Sequence, residues 1–213
     1  MVRSNVTERR SYLRLILVRH GETVWNAEFR VQGGKVDTAL SEKGQRQITR
    51  LAEVLREEPI DLILSSPLSR AVITAETIGR YHEAPITTDD RLREVNVGEL
   101  DGLSTVDMPQ TFTELLLDWW KGGCERLPGG ESFAELQART WGVVDPYVRD
   151  GAPKNILVVS HYFTTLSIIF KALEFPMNML VKFRMDPGCI SMLEFGKFGP
   201  RLSRFNDTSY QVV

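Results

Sequence analysis

The chain has 213 residues, room for one good-sized domain of the usual class of about 100–200 residues but too few for two ample ones. Hydrophobic residues at 42% and charged residues at 25% exclude a disordered, collagen-like or fibrous chain. A net charge of −2, from 26 Lys and Arg against 28 Asp and Glu, is not the strongly basic footprint of an ordinary nucleic-acid binder.

Residues 13–18 are a short apolar run of β-formers ending in Arg19-His20-Gly21, which reads as a buried strand entering a loop. A helix follows from Ser41, with Ile48, Leu51, Ala52 and Leu55 along one stripe, and it ends before Pro59. Residues 61–65 read as a second strand, followed by Ser66-Pro67-Leu68 and a helix over 69–81. A brief strand at 86–88 opens into a polar loop holding Glu94, Gly98 and Gly102. Residues 103–130 read as a helical lid or insertion in a single domain over 1–213, with one helix at 114–121. Ser132 and Glu135 form a capping box for a helix whose stripe is Leu136, Thr140, Val143 and Tyr147, and Pro146 is expected to kink it near its end. Residues 155–160 are a fourth strand, His161 follows, and an apolar helix runs to about residue 173. Late strands at 190–195 and 202–206 close the sheet.

Strand and helix alternate, and the strands are continuous apolar runs. The fold class is therefore α/β, with a mostly parallel central sheet covered on both faces. In open α/β sheets ligands bind beyond the carboxyl ends of the strands. Arg19 and His20 end the first strand, Arg70 follows the second, Glu94 the third, and His161 ends the fourth, so five residues from four segments converge on one rim.

Two arginines, two histidines and a carboxylate at one rim describe a phosphate pocket. Arginine presents a fixed fork of donors to phosphate oxygens, and helix starts near Arg70 and after His161 add backbone N–H groups. Hydrolysis of a phosphomonoester calls for up to ~10²¹-fold acceleration. A general acid supplies only about 10²–10⁴ of it, so positioned positive charge must supply most of the rest. His20 is the candidate nucleophile, kept neutral by the neighbouring cations, and its attack gives a phosphohistidine that water hydrolyses. Glu94 is the candidate proton donor to the leaving alcohol and then the base for water. Glu22, Glu99 and Asp101 are nearby alternatives.

Leu17-Val18-Arg19-His20-Gly21-Glu22-Thr23, Trp25-Asn26, Arg30-Val31-Gln32-Gly33 and Ser65-Ser66-Pro67-Leu68-Ser69-Arg70-Ala71 closely resemble the histidine phosphatase superfamily, also called phosphoglycerate mutase-like. Leu92-Arg93-Glu94, Pro128-Gly129-Gly130-Glu131-Ser132 and Val158-Val159-Ser160-His161 extend the match over nearly the whole chain. The resemblance implies a three-layer α/β/α sandwich and no metal or other cofactor. It also implies a clamp of Arg19, Arg70 and His161, phosphorylation of His20, and Glu94 as acid. Asn26 is a further phosphate or substrate contact, with Gln32, Gly33 and Glu131 at the rim. Three positions depart from the usual pattern. Tyr162 stands where glycine is common, the loop at 32–40 lacks a proline and runs one residue long, and Leu100 replaces a tryptophan.

Relatives of this kind divide into hydrolases and mutases. Residues 103–128 carry Asp107, Glu114, Asp118 and Glu125 against Lys121 and Arg126, a poor lid for a bisphosphoglycerate that needs extra cations. The expectation is a phosphatase for a small-molecule phosphomonoester with an apolar or neutral alcohol part, although Arg30 and Lys35 are a potential source of charge. The alternatives are a phosphoglycerate mutase and a catalytically silent phosphoester-binding module. Trp119 and Trp120 read as a packing face and His82 as a surface residue.

Cys124 and Cys189 form no C-x-x-C pair, so a disulfide framework and a zinc site are both unsupported and a reduced, cytoplasmic setting is expected. No run approaches the ~18 apolar residues of a membrane span. Residues 1–11, with Arg3, Arg9 and Arg10, read as a solvated arm rather than a secretory signal. Neither membrane nor nucleic acid is an expected partner, and oligomeric state, a homodimer included, stays open.

Overall fold

In the computed structural model, which describes residues 12–122, 124–150 and 152–211, the first apolar run forms β1 (Leu13–Arg19) near the middle of a six-stranded sheet. The arginines at positions 3, 9 and 10 lie outside the described residues. β4 (Asn155–Ser160) lies parallel to β1, then come β2 (Leu62–Ser65) and β3 (Ile86–Thr88), also parallel. On the other side of β1, β5 (Ile190–Gly196) runs antiparallel and pairs with β6 (Gly199–Asp207), giving the order β3-β2-β4-β1-β5-β6. Only Lys197 and Phe198 link the last two strands, and so short a loop returns the chain antiparallel, whereas each parallel pair is joined through a helical crossover.

Both faces of the central strands are apolar, and each face feeds its own core. Leu15, Leu17, Ile156 and Val158 pack with Trp119 of α4 (Gln110–Lys121), Leu136 of α5 (Phe133–Asp150) and Leu166 of α6 (Tyr162–Ala172). Ile16, Val18, Leu157 and Val159 face Leu51 and Leu55 of α2 (Glu42–Leu55) and Ala71, Ala75 and Ile78 of α3 (Ser69–Gly79). The result is the expected three-layer α/β/α sandwich. Among the described residues, no helix is long and apolar enough to cross a membrane.

Local signals account for most boundaries. Ser41 caps α2 through its side chain, which accepts from the N–H of Gly44. Ser132 and Glu135 cap α5 reciprocally, at 3.2 Å (Glu135 N–H to Ser132 Oγ) and 2.8 Å (Ser132 N–H to Glu135 Oε2). α5 runs through Pro146 to Asp150. The proline leaves the Gly142 carbonyl without its helical donor, and Arg91 Nη1 donates to that oxygen at 3.2 Å. One helical turn, α1 (Val24–Ala27), was not expected; a reciprocal bond pair between Thr23 and Asn26 closes it. α4 begins at Gln110, earlier than predicted, directly after Pro109, whose fixed φ suits the residue before a helix.

Loss of the α5 cap is a direct test of this local reading. Ser132→Ala is expected to lower unfolding stability by about 1 kcal/mol, read from the midpoint of urea denaturation at unchanged slope.

Candidate active site

Strand register places the two histidines. β1 and β4 pair Arg19 with Ser160, so the next residue of each strand, His20 and His161, emerges side by side at the carboxyl edge, with ring centroids 5.0 Å apart. The His20 N–H donates to the Ser160 carbonyl at 3.0 Å, which fixes the first turn of the loop. The Nδ1–H of His20 donates to its neighbour's carbonyl, Gly21 O, at 2.7 Å. That tautomer leaves the Nε2 lone pair free.

Arg70 is fully buried in the first turn of α3. Its guanidinium donates to Val36 O at 3.0 Å and Gly33 O at 3.1 Å, with Asp37 3.5 Å away. Asp37 also accepts from the N–H of Ser69 at 2.7 Å, capping α3 from a distant loop. Arg19 donates through Nη1 to Met185 O, and its guanidinium lies 5.4 Å from the centre of the Tyr162 ring. Three buried nitrogens of this cluster, Arg19 Nε, Arg70 Nε and His161 Nδ1, have no protein partner. Buried polar atoms are nearly always paired, so three unpaired nitrogens around one imidazole mark an anion seat.

Ser66 controls the second histidine. Its hydroxyl accepts from the N–H of Leu68 and lies 2.8 Å from His161 Nε2. Donation from the hydroxyl to Nε2 puts the ring proton on Nδ1, the unpaired atom.

Glu94 sits at the N-terminus of α6. Its carboxylate accepts from the N–H groups of Phe163 and Thr164, each at 3.2 Å, and from Val95 N–H at 2.8 Å. Arg139, on α5, holds the backbone around it. The guanidinium donates to the carbonyls of Arg91, Arg93 and Glu94 and pairs bidentately with Glu131, at 2.6 and 2.9 Å. Gly34 donates its N–H to Val95 O at 3.0 Å, and a Cβ on Gly34 would stand 2.2 Å from Glu94 O.

Arg19, His20, Asn26, Gln32, Arg70 and Glu94 line one cavity of about 240 Å³. Arg30, Val31, Val97, Thr105, Leu116, Trp119, Trp120, Tyr162 and Phe163 complete its walls. Three residues expected at the pocket are not in the wall. Gly33 stands behind Arg70, its N–H bound to Asp101 and its carbonyl to the guanidinium; a Cβ there would meet Val97 at 2.6 Å, so glycine is required by packing. His161 is fully buried beside His20. Glu131, expected at the rim, is spent on Arg139. The alternative acids are elsewhere: Glu22 pairs with Lys43 at 2.8 Å and Asp101 holds Gly33, and neither they nor Glu99 line the cavity. Trp119 packs as expected, stacked on Phe133, yet Trp119 and Trp120 also wall the cavity. His82 is partly buried rather than surface.

Burial, then the charges of Arg70 and Arg19, hold His20 well below the usual histidine range. Burial, Arg70 and His20 do the same to His161. Arg70 drops to about 10 through burial and stays charged at neutral pH. Burial raises the Glu94 carboxyl above its ordinary value, against the opposing pull of the Val95 and Phe163 N–H groups and the two arginines. The site therefore combines a neutral imidazole, two cations and a carboxyl inclined to keep its proton.

Sequence reasoning missed Ser66, Arg139, Leu116 and the placement of Trp120. Arg139 carried only a weak signal, a cation within the apolar stripe of its helix between Leu136 and Thr140.

The family model described as histidine phosphatase superfamily (branch 1) matches residues 15–208, and the chain belongs to that superfamily. A protein named probable phosphoglycerate mutase GpmB, from Erwinia tasmaniensis, is 33% identical over 187 residues, covering 85% of each chain. Among solved structures, YhfR of Bacillus stearothermophilus is similar with a TM-score of 0.86 at 27% identity, covering 94% of this chain and 100% of that one. A mycobacterial glucosyl-3-phosphoglycerate phosphatase is similar with a TM-score of 0.83 at 28% identity, covering 92% and 100%.

The electrostatics predict that His20 titrates below its ordinary range and that Arg70→Met, which removes the larger of the two neighbouring charge effects, moves the titration upward. Nitrogen NMR shifts of the imidazole against pH check both directions; a His20 that protonates near 6.5 in the wild type contradicts the reading.

Proposed function

We propose that the protein is a phosphomonoester hydrolase that works through a phosphohistidine on His20. The observation that carries this reading is the neutral imidazole, tautomer fixed by Gly21 O, lying among the three unpaired buried nitrogens of Arg19, Arg70 and His161.

The substrate phosphoryl oxygens take Arg19 Nε, Arg70 Nε and His161 Nδ1–H. The Nε2 lone pair of His20 attacks phosphorus, the N–P bond forms and the P–O bond to the alcohol breaks. Glu94 gives its proton to the departing oxygen. A water then attacks the phosphohistidine, Glu94 takes the water's proton, and the N–P bond breaks to return His20 and release phosphate. A phosphate dianion beside Glu94 raises its affinity for a proton further, as the donor role requires. The arginines and His161 supply stabilisation of the charge on the transferring group, the larger share of the acceleration.

The glucosyl-3-phosphoglycerate phosphatase similarity supports hydrolysis. The GpmB-named relative supports transfer to a second alcohol, and product analysis separates the two: free phosphate from a single monoester means hydrolysis. Two free cysteines, Cys124 and Cys189, support a reducing compartment, and the cytoplasm is the location we assign.

Wild-type protein is expected to release phosphate from p-nitrophenyl phosphate and from alkyl monoesters, and His20→Ala to do neither and to form no acid-labile phosphoenzyme. Glu94→Gln is expected to slow phosphorylation of His20 by alkyl monoesters by about 10²–10⁴ and by p-nitrophenyl phosphate far less, read as the first-turnover burst of nitrophenol, since that leaving group departs without a proton. In the pH profile, activity falls on the acid side as His20 gains a proton and on the alkaline side as Glu94 loses one; Glu94→Gln lacks the alkaline fall. Arg139 is a positioning residue for Glu94, so Arg139→Ala is expected to show the same leaving-group selectivity, a pattern that general loss of folded protein does not produce.

A further inference from the structure

Away from the phosphate seat, the cavity wall is made of Val31, Val97, Leu116, Trp120, Tyr162 and Phe163. None of the lid acids, Asp107, Glu114, Asp118 and Glu125, lines it, and neither does Lys35. One further cation does, Arg30, and it is held at the exposed mouth: Nε binds Glu28 at 2.9 Å and Nη1 donates to Gly102 O at 3.0 Å.

Most oxygen atoms of the polar side chains in the wall are engaged as well. Gln32 bonds at one end to Thr23 Oγ1 and at the other to Thr38 Oγ1. The Asn26 side-chain oxygen accepts from Thr23 N–H, and Thr105 Oγ1 donates to Phe29 O. The Tyr162 hydroxyl donates to Phe183 O at 2.6 Å. The indole N–H groups of Trp119 and Trp120 remain as unpaired donors. A carboxylate or a ring of sugar hydroxyls placed here would give up water and find few partners, which is costly. Apolar surface loses nothing of that kind.

Resting on the phosphatase reading, we infer that the alcohol part of the substrate is uncharged and largely apolar, about the size of one aromatic ring, and is held by Leu116, Trp120 and Tyr162. An apolar cavity of about 150 Å³ takes a benzene ring, so about 240 Å³ accommodates such a ring together with the phosphoryl group. Branched alkyl groups of the same volume fit the same wall.

The test is kcat/KM for a matched series: methyl phosphate, phenyl phosphate, 4-carboxyphenyl phosphate, 3-phosphoglycerate and phosphoserine. Phenyl phosphate is expected to exceed its 4-carboxy analogue by about 100-fold, although the carboxylated phenol is the better leaving group, because the added charge has no partner. Trp120→Ala is expected to shrink the phenyl-over-methyl ratio by about tenfold, the worth of part of a buried ring. Leu116→Arg, by adding the missing cation, is expected to reverse the penalty on the carboxylated substrate. A wild-type preference for 3-phosphoglycerate or phosphoserine over phenyl phosphate overturns the substrate class and leaves the phosphatase reading standing. Absence of phosphate release from every monoester overturns both.

Discussion

Two arginine side chains kept out of water, one of them wholly, are the constraint around which this molecule is organised. Burying a guanidinium is expensive unless its donors are satisfied, and the fold commits much backbone to that end. Arg70 takes the carbonyls of Gly33 and Val36 and the flank of Asp37; Arg19 takes Met185 O and the face of Tyr162. The buried Nε of each has no protein partner. Burial, reinforced by these two charges, holds His20 well below the usual histidine range, which suits an imidazole to the proposed role of nucleophile at ordinary pH.

The carboxyl side of the site is built by a complementary device. Glu94 is at once the proposed acid and the cap of α6, accepting from the first free N–H groups of that helix. Such donors favour the ionised form, whereas burial favours the neutral one, and burial prevails. The carboxyl is thereby held in one rotamer yet keeps an incentive to stay protonated. Asp37 does for α3 what Glu94 does for α6, so both helices that begin at the site are capped by loops arriving from elsewhere.

Much of the fold was legible because its signals are local. The strand at residues 155–160 and the Ser132 capping box were read with little or no error, since continuous apolar runs and S-x-x-E spacing act within a few residues. The convergence of Arg19, His20, Arg70, Glu94 and His161 followed from strand ends meeting on one edge of a parallel sheet. What escaped depended on partners distant in sequence. Nothing local in Pro146 announces that Arg91 will replace its missing donor, and nothing local in Gly33 says that its carbonyl, not its surface, is what the site uses. Arg139 looked like an ordinary helix cation until its five bonds tied three carbonyls to Glu131.

The near contact at Gly34 reaches beyond mechanism. Its N–H is fastened to Val95, its carbonyl accepts from Arg93, and there is no room for a methyl group against the Glu94 peptide. The segment that cradles the arginine and the segment that presents the acid are interlocked like two gear teeth. A side chain at position 34 would therefore displace the acid and the arginine's cradle together, whereas Leu116 and Trp120, which wall the cavity from another element, take no part in that interlock.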